Sequence, residues 1–360
     1  MTTMDMEIKI TKTTAPKAKP ADESKLGFGK VFTDHMFIMD YSADQGWHDA
    51  RIVPFDYLPI HPAASVLHYG TEIFEGLKAY RTVNGDIALF RPIENIRRMN
   101  NSAERLCLPQ IDEDFALKIF DTLVELEKEW VPHSEGTSLY IRPFMIGNDE
   151  NLGVHAVHNA KYVVILSPSG AYYAEGINPV KIAIEAEDVR AVRGGTGYAK
   201  CGGNYAASLR AGQKAEEKGF TQVLWLDGVE RKYIEEVGSM NVMFKIGGEI
   251  VTPKLTGSVL PGITRKSCCE LLRDKGYTVS ERLLSIDELE DAARQGTLDE
   301  AWGTGTAAVV SPIGWLSYKN DEFEISNGKI GEVTQMLYDE LTGIQWGKLE
   351  DKYGWIHKVC

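Results

Sequence analysis

The stretch that most constrains this chain is residues 193–205, which read Arg-Gly-Gly-Thr-Gly-Tyr-Ala-Lys-Cys-Gly-Gly-Asn-Tyr and place Lys200 among five glycines. Because glycine has no Cβ, a backbone rich in it can turn tightly or come close to a bound group. An amine that must hold a fixed position to form a Schiff base would benefit from such a setting, whereas a surface lysine does not need it. Short glycine-rich patterns also occur in surface loops, so this stretch alone leaves a solvated lysine and a cofactor lysine open.

The composition narrows the classes of protein to which the chain can belong. Its 360 residues are 43% hydrophobic and 25% charged, which is typical of a globular chain long enough for two domains. A formal net charge of -13 argues against a nucleic-acid partner or an anionic membrane. Five cysteines without C-x-x-C spacing indicate neither a disulfide framework nor a zinc site, so we expect a cytoplasmic protein without a metal. No apolar run reaches the roughly 20 residues of a membrane span.

The order of polar and apolar segments predicts how the chain is divided. Residues 1–24 combine lysines with Thr, Ala and Pro and predict a mobile tail. A transit peptide is disfavoured there, because the segment has no Arg and already carries acidic residues. We expect a first domain over residues 25–173, an interdomain connection over 174–188 and a second domain over 189–360.

Two residues in the first half could face a common site. The apolar run 138–146 predicts a strand, and a regular strand would place Tyr140 and Arg142 on one face. Such a pair can also be an ordinary surface pair, so the pattern does not decide by itself.

Three segments of the second half could bind an anion or hold an acid. Residues 260–265 open a helix, whose first N–H groups and dipole favour an anion. Residues 302–310 form a Gly/Thr loop that can present N–H groups to an oxyanion. Glu236 stands just before an apolar strand, whereas its neighbour Glu235 is predicted to lie on the surface.

Together these residues match the needs of a pyridoxal phosphate enzyme. Such an enzyme requires a lysine for the Schiff base, an acid for the pyridine nitrogen, a phenol for the ring oxygen and a seat for the phosphate. Each requirement has a candidate in the sequence. They are Lys200 for the amine, Glu236 for the acid, Tyr205 for the phenol, and Arg98 with Ile263 and Thr264 for the phosphate.

The segments 67–80, 194–205, 236–241, 260–265 and 303–310 resemble the branched-chain amino acid aminotransferases of pyridoxal phosphate fold type IV. The most specific motifs are Gly-Gly-Thr-Gly-x-x-Lys followed by Gly-Gly-Asn-Tyr, and Glu-Val-Gly-Ser-Met-Asn from Glu236. The resemblance implies an α/β (α+β) fold with a small N-terminal α/β domain and a larger C-terminal pseudo-barrel domain. It also implies a homodimer, with pyridoxal 5'-phosphate bound between the domains.

The resemblance implies transamination of L-leucine, L-isoleucine and L-valine with 2-oxoglutarate, giving branched-chain 2-oxo acids and L-glutamate. Lys200 would be the Schiff-base lysine and would move a proton between the substrate Cα and the cofactor C4′. Glu236 would pair with the pyridine nitrogen and Tyr205 with the ring oxygen. The other implied cofactor-binding residues, mainly for the phosphate, are Arg98, Ser239, Ile263, Thr264 and Thr306.

The resemblance also implies a substrate site. The N–H groups of Thr306 and Ala307, with the Tyr69 hydroxyl, would hold the substrate carboxylate. Arg142 would meet the distal carboxylate of glutamate or 2-oxoglutarate. The apolar and aromatic lining would comprise Phe28, Phe74, Tyr140, Val154 and Tyr172.

Two alternatives remain at this point. A D-amino acid aminotransferase or an aminodeoxychorismate lyase of the same fold could share the lysine, the acid and the phosphate seat. A binding or scaffold protein could keep the fold without the chemistry. A substrate panel would distinguish the other enzymes of this fold from a branched-chain aminotransferase. Visible absorbance of the purified protein would distinguish a cofactor-binding enzyme from a binding or scaffold protein.

Overall fold

The chain divides into two compact units. The computed structural model describes residues 6–170, 177–319 and 321–360. The first unit comprises Met1–Ala174, Ala199–Gly202 and Gly343–Cys360, and the second comprises Glu175–Tyr198 and Gly203–Thr342. This division differs from the predicted one, because the lysine segment (Ala199–Gly202) and the C-terminal segment (Gly343–Cys360) pack with the N-terminal half of the chain.

Strands occur mostly in consecutive runs, and helices separate these runs. Within the described residues, the strands are β1 (Lys9–Ile10), β2 (His35–Ser42), β3 (Gly46–Pro54), β4 (Glu72–Phe74), β5 (Leu77–Arg81), β6 (Ile87–Phe90), β7 (Ser138–Gly147), β8 (Asn159–Ser169), β9 (Val180–Glu185), β10 (Gln222–Leu226), β11 (Ile234–Val237), β12 (Met240–Ile246), β13 (Glu249–Pro253), β14 (Val279–Arg282), β15 (Leu298–Gly305), β16 (Val309–Tyr318), β17 (Asp321–Glu324) and β18 (Ile356–Lys358). The α-helices there are α1 (Ser65–Tyr69), α2 (Pro92–Arg105), α3 (Glu113–Leu126), α4 (Gly202–Ala206), α5 (Leu209–Glu217), α6 (Ile263–Asp274), α7 (Ile286–Arg294) and α8 (Glu332–Gln345). Short 3-10 helices occupy Glu23–Lys25, Lys128–Trp130 and Ser326–Gly328.

The first unit is built on one sheet, whose strand order in the described residues is β1-β3-β2-β8-β7-β5-β6-β18, with β4 also paired to β7. Its pairs are antiparallel except β1 with β3. Helix α2 buries Ile96, Met99 and Ala103 in the core, as their helical spacing predicts. Helix α3 begins at its N-cap Asp112, whose carboxylate accepts the Phe115 N–H at 2.8 Å.

Part of the segment predicted as a mobile tail is hydrogen-bonded to the first unit. Strand β1 pairs with β3, and the Thr13 N–H donates to Nε2 of His35 at 2.8 Å. Buried Asp34 accepts the Lys17 N–H at 2.7 Å and the Trp130 indole N–H at 2.9 Å. These acceptors come from distant positions, so the composition of residues 1–24 could not reveal them.

The second unit contains a closed barrel. In the described residues its sheet runs β11-β10-β9-β16-β15-β12-β13-β14, with β17 on β16. An additional pairing of β11 with β12 closes the six strands from β11 to β12 into a ring. This arrangement confirms the predicted α/β (α+β) class and the pseudo-barrel.

Strand β11 corrects one sequence expectation. All four of its residues are buried, so Glu235 is only 4% exposed and does not lie on the surface. Its carboxylate accepts the Ser258 hydroxyl, and burial raises its pKa. Alternation along a strand predicts one exposed face only when that face meets water, and this strand is covered on both faces.

Local sequence signals mark the end of one helix and the start of another in the second unit. Gly219 follows α5 with φ 82°, the left-handed conformation that suits glycine after a helix. Helix α7 begins at Ser285, whose hydroxyl accepts the Glu288 N–H at 3.1 Å. None of the helices in the described residues has the length and apolar character needed to cross a membrane.

Candidate active site

Lys200 is held in the first unit by backbone contacts on both sides. Its carbonyl accepts the Phe74 N–H at 2.9 Å, and its N–H donates to the Ser102 hydroxyl at 2.9 Å. The same hydroxyl donates to the carbonyl of Arg98 at 3.0 Å, so the lysine segment is tied to α2. The Lys200 ammonium lies 4.9 Å from the centroid of the Phe74 ring.

The environment of Lys200 favours a neutral amine. Burial lowers the pKa of Lys200 from 10.5 to about 8, and the positive charge of Arg98 acts in the same direction. Glu75 and Tyr140 offset part of this shift, whereas Arg142 adds to it. A lysine with this pKa can accept a proton near neutral pH.

Arg98 and Glu75 form a buried ion pair beside Lys200. Nε of Arg98 donates to Oε1 of Glu75 at 2.7 Å, and Nη2 donates to Oε2 at 2.9 Å. Asn95 donates to Oε2 at 2.8 Å. The two-point contact fixes the orientation of the guanidinium plane. Arg98 is therefore an oriented cation rather than a mobile one.

The first unit brings four of the predicted substrate residues together. Nη2 of Arg142 donates to the Tyr140 hydroxyl at 3.0 Å, and the guanidinium lies 4.8 Å from the centroid of the Phe74 ring. The Phe28 ring meets Tyr140 edge-on, with centroids 4.9 Å apart. Among the described residues, no hydrogen-bond partner accompanies Nε of Arg142, which is a buried donor. This group is an aromatic wall with one cation at its edge.

Two other predicted substrate residues, Tyr69 and Val154, do not join this group in the first unit. Val154 is 81% exposed, and Tyr69, the last residue of α1, is 41% exposed. The Tyr69 hydroxyl donates to the carbonyl of Leu152. Tyr172 lies outside the described residues, so the structure does not address its role.

The second unit surrounds Glu236 with partners. Glu236 is 3% exposed, and its carboxylate forms an ion pair with Arg190. Nδ2 of Asn241 donates to Oε1 of Glu236 at 3.2 Å and to the carbonyl of Leu260 at 2.9 Å. Because residue 260 lies just before α6, Asn241 links the acid to the start of that helix.

The remaining predicted cofactor residues belong to the second unit. Asn241 pairs with Glu236 on β11 and with Thr304 on β15, two residues before the turn that carries Thr306 and Ala307. Helix α6 begins with Ile263 and Thr264, after an N-cap Gly262 that offers no side-chain acceptor. Ser239 is exposed in the turn between β11 and β12, and Tyr205 is half-buried in α4. The backbone N–H groups of the helix start and the turn can serve an anion.

Sequence reasoning missed Glu75, Asn95, Arg190 and Asn241. For Glu75 a signal existed, since an acid between Phe74 and Gly76 interrupts an aromatic and apolar segment. For Arg190 we find no signal, because its contacts with Glu236 and with the carbonyls of Gly197 and Ser258 depend on tertiary structure. Among the described residues, no group of three or more His, Cys, Asp or Glu side chains could hold a metal ion.

Known proteins share this chain's family. The model of amino-transferase class IV matches residues 72–314. Branched-chain-amino-acid aminotransferase 2 of Bacillus subtilis (strain 168) is 56% identical over 360 residues, which are 100% of this chain and 98% of the relative. The solved Escherichia coli branched-chain amino acid aminotransferase has a TM-score of 0.76 at 27% identity, over 91% of this chain and 99% of that one.

A second solved structure extends this comparison. It is a branched-chain amino acid aminotransferase with pyridoxamine 5'-phosphate, and it has a TM-score of 0.75 at 28% identity, over 90% of this chain and 98% of that one. The match to the family model covers more than half of the chain, and the Bacillus relative spans all of it. The chain therefore belongs to the amino-transferase class IV family and, within it, to the branched-chain amino acid aminotransferases.

Proposed function

We propose that this protein transaminates L-leucine, L-isoleucine and L-valine with 2-oxoglutarate, giving branched-chain 2-oxo acids and L-glutamate. The observation that carries the proposal is the first-unit cluster, in which a lysine of lowered pKa stands beside a fixed arginine and an aromatic wall. A relative named as a branched-chain-amino-acid aminotransferase matches this chain over its whole length and supports the branched-chain part of the proposal.

The residues present fit pyridoxal phosphate as the cofactor. Arg98 offers a buried, oriented cation, and the start of α6 offers N–H groups without a side-chain cap, so both suit a phosphate. Thr306 and Ser239 would add polar contacts to it. Buried Glu236, paired with Arg190, suits a protonated pyridine nitrogen. When bound, the cofactor supplies an electron sink for the substrate Cα.

Each residue would have a distinct task. Lys200 would move a proton between the substrate Cα and the cofactor C4′, which requires the neutral amine that burial favours. Glu236, which forms an ion pair with Arg190, would hold the proton of the pyridine nitrogen. Tyr205 would donate its hydroxyl to the ring oxygen. The N–H groups of Thr306 and Ala307 would orient the substrate carboxylate.

The aromatic wall would give the substrate preference. Phe28, Phe74 and Tyr140 suit aliphatic side chains, which bind by removal of apolar surface from water. Arg142 would bind the distal carboxylate of glutamate or 2-oxoglutarate through the donor that no described residue engages. One pocket would thereby accept both kinds of substrate.

We further infer a homodimer in the cytoplasm. Leu67, Tyr69, Leu152 and Val154 are exposed apolar or aromatic residues of the first unit, and a partner subunit would cover them. Tyr69 and Val154 would then reach a substrate only as part of that interface. All five cysteines lie in the described residues and are free, which suits a reducing compartment. Light scattering of the purified protein tests the dimer.

A substrate panel tests the reaction. Purified protein supplied with pyridoxal phosphate should form glutamate from 2-oxoglutarate with L-leucine, L-isoleucine and L-valine, but not with D-alanine. Lys200→Ala should lose turnover and the visible absorbance of the bound cofactor. Lys254→Ala, at an exposed lysine of the second unit, should keep both. A wild-type protein that stays colourless with pyridoxal phosphate, or prefers D-alanine, contradicts the proposal.

A further inference from the structure

Glu75 is the most enclosed acid of the first-unit cluster, and it lies between β4 and β5 with 1% exposure. Four N–H donors reach its carboxylate: Nε and Nη2 of Arg98, Nδ2 of Asn95 at 2.8 Å and its neighbour's backbone N–H, that of Gly76, at 3.2 Å. A charge so deeply buried is tolerated only when it is paired and hydrogen-bonded. Its two oxygens hold Arg98 at two points, which a neutral amide could not do with the same donors.

The carboxylate also acts on Lys200. Arg98 lowers the pKa of Lys200 and Glu75 raises it, so the two members of the ion pair have opposite effects on the same amine. From β8, Tyr162 faces Glu75, and its pKa is raised by burial and then by that negative charge. Tyr140 and Arg142 act on the lysine from β7. Glu75 therefore couples the cation of α2 to the amine of the lysine segment.

Resting on the proposed function, we propose that Glu75 is a positioning residue. It holds the Arg98 guanidinium in the orientation that serves the cofactor phosphate, and it supplies the negative charge that balances Arg98 beside Lys200. The roles that the family resemblance implies for Lys200, Arg98 and Glu236 do not include one for Glu75. Two measurable properties follow, namely the contribution of the phosphate to cofactor affinity and the pH at which Lys200 loses its proton.

The first experiment compares pyridoxal phosphate with pyridoxal, which has the same aldehyde but no phosphate. Equilibrium titration of the apoprotein gives a dissociation constant for each compound. The dissociation constant of pyridoxal divided by that of pyridoxal phosphate measures the contribution of the phosphate contacts. Glu75→Gln should reduce that ratio by about tenfold, since a charge-assisted pair no longer orients Arg98. Arg98→Ala should reduce it at least as much. The double variant should lose little more than Arg98→Ala alone, because both changes act through one contact.

The second experiment follows the protonation of Lys200 in the apoprotein. Labelling with an amine-reactive reagent over a range of pH, read by peptide mass spectrometry, gives a midpoint for each lysine. Glu75→Gln should move the Lys200 midpoint to lower pH, and Arg98→Ala should move it to higher pH. A general loosening of the fold would move both variants the same way. Lys78 is an internal control, because burial alone lowers its pKa to about 8.

Glu72→Gln is the matched variant for both experiments. Glu72 lies three residues from Glu75 and its carboxylate accepts the Gly202 N–H, but it is not among the groups with the largest effects on the pKa of Lys200. It should leave the affinity ratio and the Lys200 midpoint as in the wild type. If Glu75→Gln does not fold, Asn95→Ala replaces it, since it removes one bond to the same carboxylate and should shift the affinity ratio in the same direction.

The outcomes separate this inference from the proposed function. If the wild type binds pyridoxal phosphate no better than pyridoxal, the proposed cofactor site itself is contradicted. A wild type with strong phosphate preference, together with a folded Glu75→Gln protein whose ratio and Lys200 midpoint are unchanged, overturns the role of Glu75 alone. Equal shifts of the Lys200 and Lys78 midpoints also overturn it, because they would reveal a structural effect.

Discussion

Arg142 is the residue that would distinguish the two kinds of substrate in the proposed reaction. Leucine would present only carbon atoms at the edge of the aromatic wall, whereas glutamate would present a carboxylate. Arg142→Ala should therefore raise KM for glutamate about 10-fold to 100-fold, as expected when a charged hydrogen bond is lost, and change KM for leucine much less. Steady-state kinetics with both amino donors measure this. Equal losses for the two substrates would contradict it, and Tyr140→Phe, which removes only the hydroxyl that Arg142 contacts, is the matched variant.

Lys200 makes a prediction about pH. Because its pKa is about 8 in the folded protein and 10.5 ordinarily, the unfolded chain binds more protons between these values. The free energy of unfolding of the apoprotein should therefore rise as the pH increases from 8 to 10.5, through this group. Urea titrations of the wild type and of Lys200→Met across that range test it. If the free energy of unfolding changes with pH equally in the two proteins, Lys200 does not contribute to this pH dependence.

At the scale of elements, the connection from β4 to β5 depends on a glycine. A Cβ at Gly76 would collide with the Tyr140 hydroxyl and lie 2.8 Å from its ring carbon Cζ. Gly76→Ala should cost about 1–3 kcal/mol in the free energy of unfolding, as overpacking does. It should also weaken leucine binding by displacing Tyr140. Chemical denaturation and KM measurements follow the two effects.

Gly212 provides the contrasting substitution. It lies inside α5, and a Cβ there would meet no atom within 4 Å. Gly212→Ala should stabilise the protein by about 0.5–1 kcal/mol, since alanine favours a helix interior. If both alanine variants change stability equally, the close approach of Tyr140 to Gly76 does not govern the outcome.

Local patterns explain why the sequence predicted so much of these elements. Ile96, Met99 and Ala103 recur at helical spacing and lie in the core, and Gly247-Gly248 forms the turn between β12 and β13, where Ile246 pairs with Glu249. The carboxylate of Glu75, the ion pair of Arg190 and the hydrogen bonds of residues 13–17 lie beyond such patterns. Each joins positions far apart in the chain, so a sequence without aligned relatives does not contain the pairing.

At the scale of the molecule, the first unit depends on the C-terminal segment. Strand β18 pairs with β6, and buried Trp355 packs edge-on against Phe90 with ring centroids 5.6 Å apart. Trp355→Ala should lower the free energy of unfolding of the first unit by about 3–5 kcal/mol, the range for removal of a buried aromatic side chain. Hydrogen exchange read by mass spectrometry should show faster exchange in β5 and β6 than in β10 and β12. Uniform acceleration throughout the chain would contradict this assignment.

The discontinuity of the first unit has a consequence for biosynthesis. Phe90 leaves the ribosome long before its partner Ile356 exists, and at about 5–20 residues per second the delay is on the order of 10 to 50 s. During that interval the outer edge of β6 has no strand to pair with, and an unpaired edge can recruit another chain. The nascent protein would therefore gain most from a chaperone while its second unit is being translated.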